Sequence, residues 1–194
     1  MQGRVGRIKL YIGPMFSGKT SKLISKYTGP EECLAIKPTQ DTRCLATEIK
    51  SHDGITIPAI AIPRLDSDKP EISLTIQRVL VDEGQFFPDL ALGCMQLVSM
   101  GIDVYVAALN GTSEREPWPS VSALIPHADK IEHVTAVRCS ICKKRRAPFT
   151  AVKKGCEKTG TVMIGGAESY FPVCRNCTSP EMGFKNGAPM KSDA

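Results

Sequence analysis

Apolar positions fall along the chain in two rhythms. Compact apolar-rich runs occur at 7–13 (RIKLYIG), 33–37 (CLAIK), 79–83 (VLVDE) and 102–109 (IDVYVAAL). Runs of that length with little polar alternation predict strands buried on both faces. The second rhythm is helical. Residues 18–27 place Leu23, Ile24 and Tyr27 on one face, and residues 88–100 place Leu90, Cys94, Leu97 and Val98 at helical spacing. Pro88 sits near the start of that second helix and Gly101 just past its end, the positions where such residues delimit helices. Residues 41–57 are polar and turn-like, with weak strand signals. Strands alternating with helices predict an α/β fold built on a parallel sheet with both faces covered.

Near residue 138 the pattern changes. From Cys139 to Cys177 the chain carries short strand signals, glycines, basic residues and paired cysteines, so the expected organisation is an α/β domain over 1–138 and a small module over 139–177. Residues 178–194 are polar and rich in Gly and Pro, a composition expected to order poorly. No internal repeat is present.

A chain of 194 residues with 42% hydrophobic content can bury a core without disulfides. No apolar run approaches the roughly 20 residues of a membrane span. The N-terminus has no secretory pattern, so the expected location is the cytoplasm, where thiols stay reduced. A net charge of +5 suits an anionic small ligand and is too weak to argue for nucleic acid.

The first strand runs into GPMFSGKT. Gly13, Pro14, Met15, Phe16, Ser17, Gly18, Lys19 and Thr20 match G-x-x-x-x-G-K-[ST], a loop whose backbone N–H groups surround phosphate oxygens. The two glycines let backbone approach the phosphates, and the helix that follows points its N-terminus at them. In this pattern Lys19 reaches the β- and γ-phosphates, and the Thr20 hydroxyl ligates Mg²⁺. The alternative, a glycine turn that matches by chance, does not explain its place between a strong strand and a helix.

A second candidate lies at the end of the third strand. Asp82 and Glu83 project at the carboxyl edge of the sheet, where ligands bind in such folds. Asp82 is the expected second anchor for Mg²⁺, and Glu83 can take a proton from an attacking hydroxyl or orient a water. Of Phe86 and Phe87, one is expected in the core.

The cysteines give the third. Cys139 and Cys142 form one C-x-x-C pair and Cys174 and Cys177 another, with 31 residues between. Four thiolates from two knuckles are the tetrahedral set of a structural Zn²⁺, with no open position for catalysis; a redox pair or coincidence is the competing reading, which one C-x-x-C would leave open and two disfavour. Cys33, Cys44, Cys94 and Cys156 read as small hydrophobes or inert thiols. His52, His127 and His133 are isolated and read as surface residues. The basic run KKRRA at 143–147 reads as a solvated face, and Trp118 as a packing residue.

Taken together these motifs resemble the type II thymidine kinases, over about Gly6 to Cys177. IGPMFSGKTSKL, KPTQDTR, DEGQFF, AALNGTSEREPWP and VMIGGAESYFPVCRNC look like five blocks of that family in its order. The resemblance implies a P-loop (RecA-like) parallel-sheet domain and a zinc-ribbon domain with a lasso loop. It implies transfer of the ATP γ-phosphoryl group to the 5′-hydroxyl of thymidine, and of deoxyuridine. Glu83 is then the catalytic base. Asp41, Arg43 and Gln85 join the phosphate-loop residues and Asp82 around the nucleotide. Met15, Phe86, Leu109, Ser113 and Thr150 line the nucleoside pocket, with Ser113 where the family usually has Phe. Thr161, Val162, Met163, Ile164 and Gly165 form the lasso that binds the pyrimidine edge, and Tyr170 closes over sugar and base. A homotetramer and inhibition by dTTP are further implications. A helicase-type ATPase shares the DEGQ box but needs a second ATPase lobe, for which 194 residues leave no repeat. A non-catalytic zinc module does not explain an intact Gly-Lys-Thr and Asp-Glu.

Overall fold

The computed structural model describes residues 4–42, 44–153, 168–178, 184–185 and 188–189. Six parallel strands form the central sheet: β1 (Ile8–Gly13), β2 (Cys33–Pro38), β5 (Ile60–Ile62), β6 (Arg78–Val81), β7 (Asp103–Leu109) and β8 (Lys130–His133). Their order is β5-β2-β6-β7-β1-β8, and every neighbouring pair is parallel. A hairpin, β3 (Glu48–Lys50) and β4 (Thr56–Pro58), occupies the polar segment that carried only weak strand signals.

Both faces of the sheet are buried, as continuous apolar strands require. Successive side chains point to opposite faces. Val79 and Val81 of β6 and Val104, Val106 and Ala108 of β7 enter one core cluster, with Leu90, Cys94 and Leu97 of α2 (Leu90–Ser99) and Leu124 of α3 (Pro119–Leu124). Leu80, Tyr105 and Ala107 face the other, with Leu23 and Ile24 of α1 (Lys19–Ile24) and Ile49 and Ile57 of the hairpin. Phe87 is fully buried in the first cluster and Phe86 only half-buried, so one of the two is a core residue.

The predicted elements are present with shifted ends. The helix expected over 18–27 closes at Ile24, and the strand expected over 79–83 ends at Val81. Asp82 and Glu83 therefore stand beyond the strand, in the turn at the sheet edge. Among the strands and α-helices from β1 to β8, three carry no local sequence signal: β5, β8 and α3. Their segments are short, or polar as in KIEH, so local patterning is weak.

After β8 the chain forms small antiparallel pairs: β9 (Ala136–Arg138) with β10 (Arg146–Ala147), and β11 (Phe149–Val152) with β12 (Tyr170–Val173). A separate cluster packs here, with Cys139, Ala147, Ala151, Val173, Cys174 and Cys177 buried. Residues β13 (Phe184–Lys185) and β14 (Ala188–Pro189) form a final two-residue pair. No helix among the described residues is long and apolar enough to cross a membrane.

Candidate active site

The sheet register sets the site. Gly13, the last residue of β1, lies beside Leu109 at the end of β7, and Val81 of β6 lies beside Val106 of the same strand. The loop after β1 and the carboxylates after β6 thus emerge at one edge, with β7 between them. Gly13 has no room for a side chain: a Cβ would stand 2.1 Å from the Val134 carbonyl oxygen. Gly18 caps α1 in the left-handed region, φ 86°, where only glycine is at ease.

Thr20 and Asp82 meet across this edge. The Thr20 hydroxyl donates to the Asp82 carboxylate, 3.1 and 3.2 Å from its two oxygens. Lys19 bends back over the loop, and its ammonium donates to the Pro14 carbonyl at 2.7 Å. Met15 to Thr20 line a cleft of about 410 Å³ together with Asp41, Cys44, His52, Asp82 and Glu83. Asp82 and Glu83 are 5% and 7% exposed, so neither is a strand-end charge in open solvent.

Glu83 is held in an unusual place. Its backbone is left-handed, φ 50°, a strained conformation for a residue other than glycine that is typical of functional turns. Its carboxylate accepts from Gln85 Nε2 at 2.5 Å. Gln85 Oε1 in turn accepts from the Leu109 backbone N–H at 3.0 Å, and the Gln85 carbonyl accepts from the Ser120 hydroxyl at 2.9 Å. Gln85 therefore ties the glutamate to the end of β7 and to α3.

Beside the cleft, Lys37 is 1% exposed at the end of β2. Its ammonium stands 3.9 Å from an Asp41 carboxylate oxygen and donates to Cys44 Sγ at 3.1 Å. A buried cation opposite a buried carboxylate fixes Asp41 in the cleft wall. The aromatic residues divide between two places. Phe86 meets Trp118 edge-on, ring centres 5.7 Å apart. Phe16 meets His52 at 5.8 Å. His52 is exposed, as a surface histidine should be, yet it lines the phosphate-loop cleft, which no sequence pattern indicated.

Four contacts join the sheet edge to the cysteine segment. The Met15 N–H donates to Thr150 Oγ1 at 2.9 Å. Asn110 Nδ2 donates to the Pro148 carbonyl at 3.2 Å, and Arg115 Nη2 to the Thr178 carbonyl at 3.2 Å. Arg115 also lies over the Phe149 ring. Leu109 and Phe86 are linked through Gln85's turn, and Ser113 is buried at 9% exposure. Phe86, Leu109, Ser113, Thr150 and Tyr170 do not line the 410 Å³ cleft; Tyr170 faces a hollow shared with Phe16, His52 and Lys153. Arg43, Cys156 and Thr161, Val162, Met163, Ile164 and Gly165 lie outside the described residues.

The four paired cysteines come together. Their sulfurs all lie within 4.8 Å of one another, and Cys142 Sγ is 3.8 Å from Cys174 Sγ. Zn–S bonds of about 2.3 Å in a tetrahedron require sulfur separations of about 3.8 Å, so the set fits Zn²⁺. The thiols differ in their own surroundings. Backbone N–H groups of Lys144 and Arg145 hold the Cys142 thiol down at about 6, while burial, then hydrogen bonds from neighbouring cysteines, push Cys177 up to about 12. Burial alone would raise Cys139, but backbone N–H groups of Cys142, Cys174 and Ile141 outweigh it and leave it lowered. Of the scattered cysteines, Cys33 and Cys94 are buried and Cys44 half-buried.

Comparison with known proteins agrees with this geometry. The sequence model of the family described as thymidine kinase matches residues 6–178. The chain is 36% identical over 176 residues to a thymidine kinase of Rabbit fibroma virus, covering 89% of this chain and 96% of that one. It is 38% identical over 176 residues to the cytosolic thymidine kinase of Homo sapiens, covering 89% and 73%. It is 37% identical over 180 residues to a thymidine kinase of Oryza sativa, covering 88% and 65%. The phosphate loop, the Asp-Glu turn and the cysteine pairs all fall inside the matched span, and the chain belongs to the thymidine kinase family.

Proposed function

We propose that this protein phosphorylates thymidine, and deoxyuridine, at the 5′-hydroxyl with ATP as donor, giving the nucleoside monophosphate and ADP in nucleoside salvage. The observation that carries this reading is the meeting of Thr20 with Asp82 in a cleft that Glu83 also lines. Family membership supplies the substrate class.

The residues divide the work. Phosphoryl transfer needs alignment and charge neutralisation more than covalent chemistry. The amides of the loop Gly13–Thr20, Lys19, Arg43 and Asp41's neighbourhood hold the triphosphate. Thr20 and Asp82 supply a hydroxyl and a carboxylate that fit Mg²⁺, which when bound neutralises phosphate charge. Glu83 accepts the proton of the 5′-hydroxyl as that oxygen bonds to the γ-phosphorus and the bond to the β–γ bridging oxygen breaks. Gln85 keeps the Glu83 carboxylate aimed, through the bond at 2.5 Å. Met15, Phe86, Leu109, Ser113, Thr150 and Tyr170, with residues 161–165, form the nucleoside side. That side excludes water that would otherwise hydrolyse ATP.

On this reading residues 1–138 carry the donor, and residues 139–177 form a zinc-held module that positions the acceptor. Zn²⁺ on four cysteines leaves no open position, so it stabilises and does not catalyse. Feedback by dTTP follows from one molecule filling both the nucleoside and the phosphate sites. Leu92, Met95 and Met100, exposed on and just after α2, suit contact between copies in a homotetramer. The proposed location is the cytoplasm.

The test is ADP release measured with and without thymidine. Turnover that depends on thymidine supports the reading. Turnover that depends on polynucleotide, or none with any nucleoside, refutes it.

A further inference from the structure

Glu83 needs more holding than its own turn supplies. Its left-handed backbone is a conformation that persists only where the surroundings over-determine it. The turn Gly84–Phe86 lies against β7, so closely that a Cβ on Gly84 would stand 2.8 Å from Val106 Cγ1. Inside the turn, the Glu83 and Gly84 carbonyls accept from the Phe86 and Phe87 N–H groups at 3.0 and 3.1 Å. The next carbonyl, that of Gln85, would accept from the residue three positions on. That residue is Pro88, which has no N–H to give. Gln85 is 5% exposed, so solvent does not serve its carbonyl either. Among the described residues this carbonyl accepts only from the Ser120 hydroxyl, at 2.9 Å from 35 positions away.

Ser120 comes from a rigid corner. Pro119 opens α3 with a fixed φ, and Val121 and Leu124 of that helix are buried in the core. The Ser122 N–H donates to the Trp118 carbonyl at 2.9 Å, and the Trp118 ring meets Phe86 edge-on. Residues 118–120 therefore grip two neighbours at once: Gln85 by its carbonyl and Phe86 by its ring.

We propose that Ser120 is a positioning residue for phosphoryl transfer: its hydroxyl fixes the Gln85 peptide and, through the Gln85 side chain, the Glu83 carboxylate. The inference rests on the reading of function above and adds to it a residue that lies outside every motif. A peptide plane turns as a unit, so a Gln85 carbonyl released from Ser120 carries the Gln85 Cα and side chain with it. The Glu83 carboxylate, bonded to Gln85 Nε2 at 2.5 Å, follows. A base displaced in this way is still present but poorly aimed, which costs rate and not affinity. Because the same corner holds Phe86, the base and the acceptor wall keep one relative geometry.

The experiment compares Ser120→Ala with Ser120→Thr in the full-length, zinc-loaded chain. Trp118 is the single tryptophan and stands two residues from the change, so its fluorescence reports thymidine binding and the state of the corner. Ser120→Ala is expected to lower kcat about fivefold, with Kd for thymidine and for MgATP within about twofold of the wild type. Ser120→Thr keeps the hydroxyl and should bring kcat back to within about twofold. In a Glu83→Gln background, Ser120→Ala should cost no further rate, because the group it positions is gone. A kcat within about twofold of wild type in Ser120→Ala overturns the proposal. So does an equal loss of rate and thymidine affinity, and so does the same loss in the Glu83→Gln background, which marks general damage. If the Ala variant melts below the assay temperature, Ser120→Cys, similar in shape and a weaker donor, is read in its place by the same measurements. A wild type that phosphorylates no nucleoside refutes the functional reading. The hold of Ser120 on the turn is then judged by acrylamide quenching of Trp118, which should rise about twofold in Ser120→Ala and return with Ser120→Thr. Unchanged quenching overturns it.

Discussion

The backbone N–H of Met15 donates to the hydroxyl of Thr150 across 2.9 Å, joining residues 135 positions apart in the chain. One is in the middle of the phosphate loop and the other on β11, within the cysteine segment. The bond is buried, and it makes the orientation of the loop depend on the segment that the cysteines hold. Thr150→Val keeps the shape and removes the acceptor, leaving a buried N–H unpaired. That costs about 1–3 kcal/mol. In a chain of this size the melting temperature falls by about 2–4 °C per kcal/mol. Thr150→Ser keeps the acceptor and should restore most of the loss. Equal stability of the Val and Ser variants in thermal melts would show that the bond contributes nothing.

Glu83→Gln should lower kcat by about 10²–10⁴ while MgATP affinity stays within about twofold. The neutral amide cannot take the proton of the attacking hydroxyl. Gln85→Leu removes the contacts to Glu83 and to the Leu109 N–H, and should cut kcat less, by about tenfold, through misplacement of a carboxylate that is still present. Steady-state kinetics with thymidine separate the two. A Glu83→Gln enzyme with near-normal kcat would remove Glu83 from the mechanism.

Zinc should be needed for structure and not for chemistry. Metal analysis should find one Zn²⁺ per chain, and Cys174→Ser or chelation should lower the stability of the segment without fully unfolding it at room temperature, because binding energy in so small a site is folding energy. Activity should fall with the loss of structure, and Mg²⁺ should not rescue it. Fully active protein without zinc would refute this.

The lowered Cys142 thiol gives a pH dependence. Its ionisation stands at about 6 in the folded metal-free chain against an ordinary 9.0. The folded-state value is the lower one, so this group stabilises the fold fully above pH 9, and the contribution fades as pH falls toward 6. Cys177 has the opposite sign, raised to about 12, so its contribution is full below pH 9 and is lost as pH rises toward 12. In zinc-stripped protein at pH 7, iodoacetamide should therefore label Cys142 before Cys177, and added Zn²⁺ should protect both. Mass spectrometry of the labelled peptides checks the order; faster labelling of Cys177 would contradict it.

Trp118 should act as a wall of the nucleoside site. Its ring meets Phe86 edge-on at 5.7 Å, a contact worth about 0.5–1.5 kcal/mol beyond burial. Trp118→Phe should raise KM for thymidine several-fold and leave kcat nearly unchanged, because the wall is present in ground and transition states alike. Ser113 is already 9% exposed, so Ser113→Phe adds bulk where little space is open and should cost about 1–3 kcal/mol in stability unless Trp118 is trimmed as well. A Ser113→Phe enzyme that is as stable as the wild type and binds thymidine more tightly would show an open wall that Trp118 does not fill.

The sequence by itself determined whatever one segment can encode. Unbroken apolar runs marked β1, β2, β6 and β7, because a strand covered on both faces needs apolar residues throughout. Glycine and lysine spacing marked the phosphate loop, since only that spacing lets backbone wrap phosphate, and two C-x-x-C pairs marked a four-sulfur set. The alternation of elements then fixed a parallel sheet. The tertiary structure decided what distant segments do to one another. β8, with the sequence KIEH, joins the sheet because β1 offers an open edge, not because its own pattern is apolar. Register brings Thr20 to Asp82 from 62 residues away and Leu109 to Gln85 from 24 away. It also turns His52 and the basic run beside Cys142 toward the phosphate loop. No local pattern encodes such meetings, because hydrophobic periodicity reports which side of an element is buried, while strand order and register decide what that side meets.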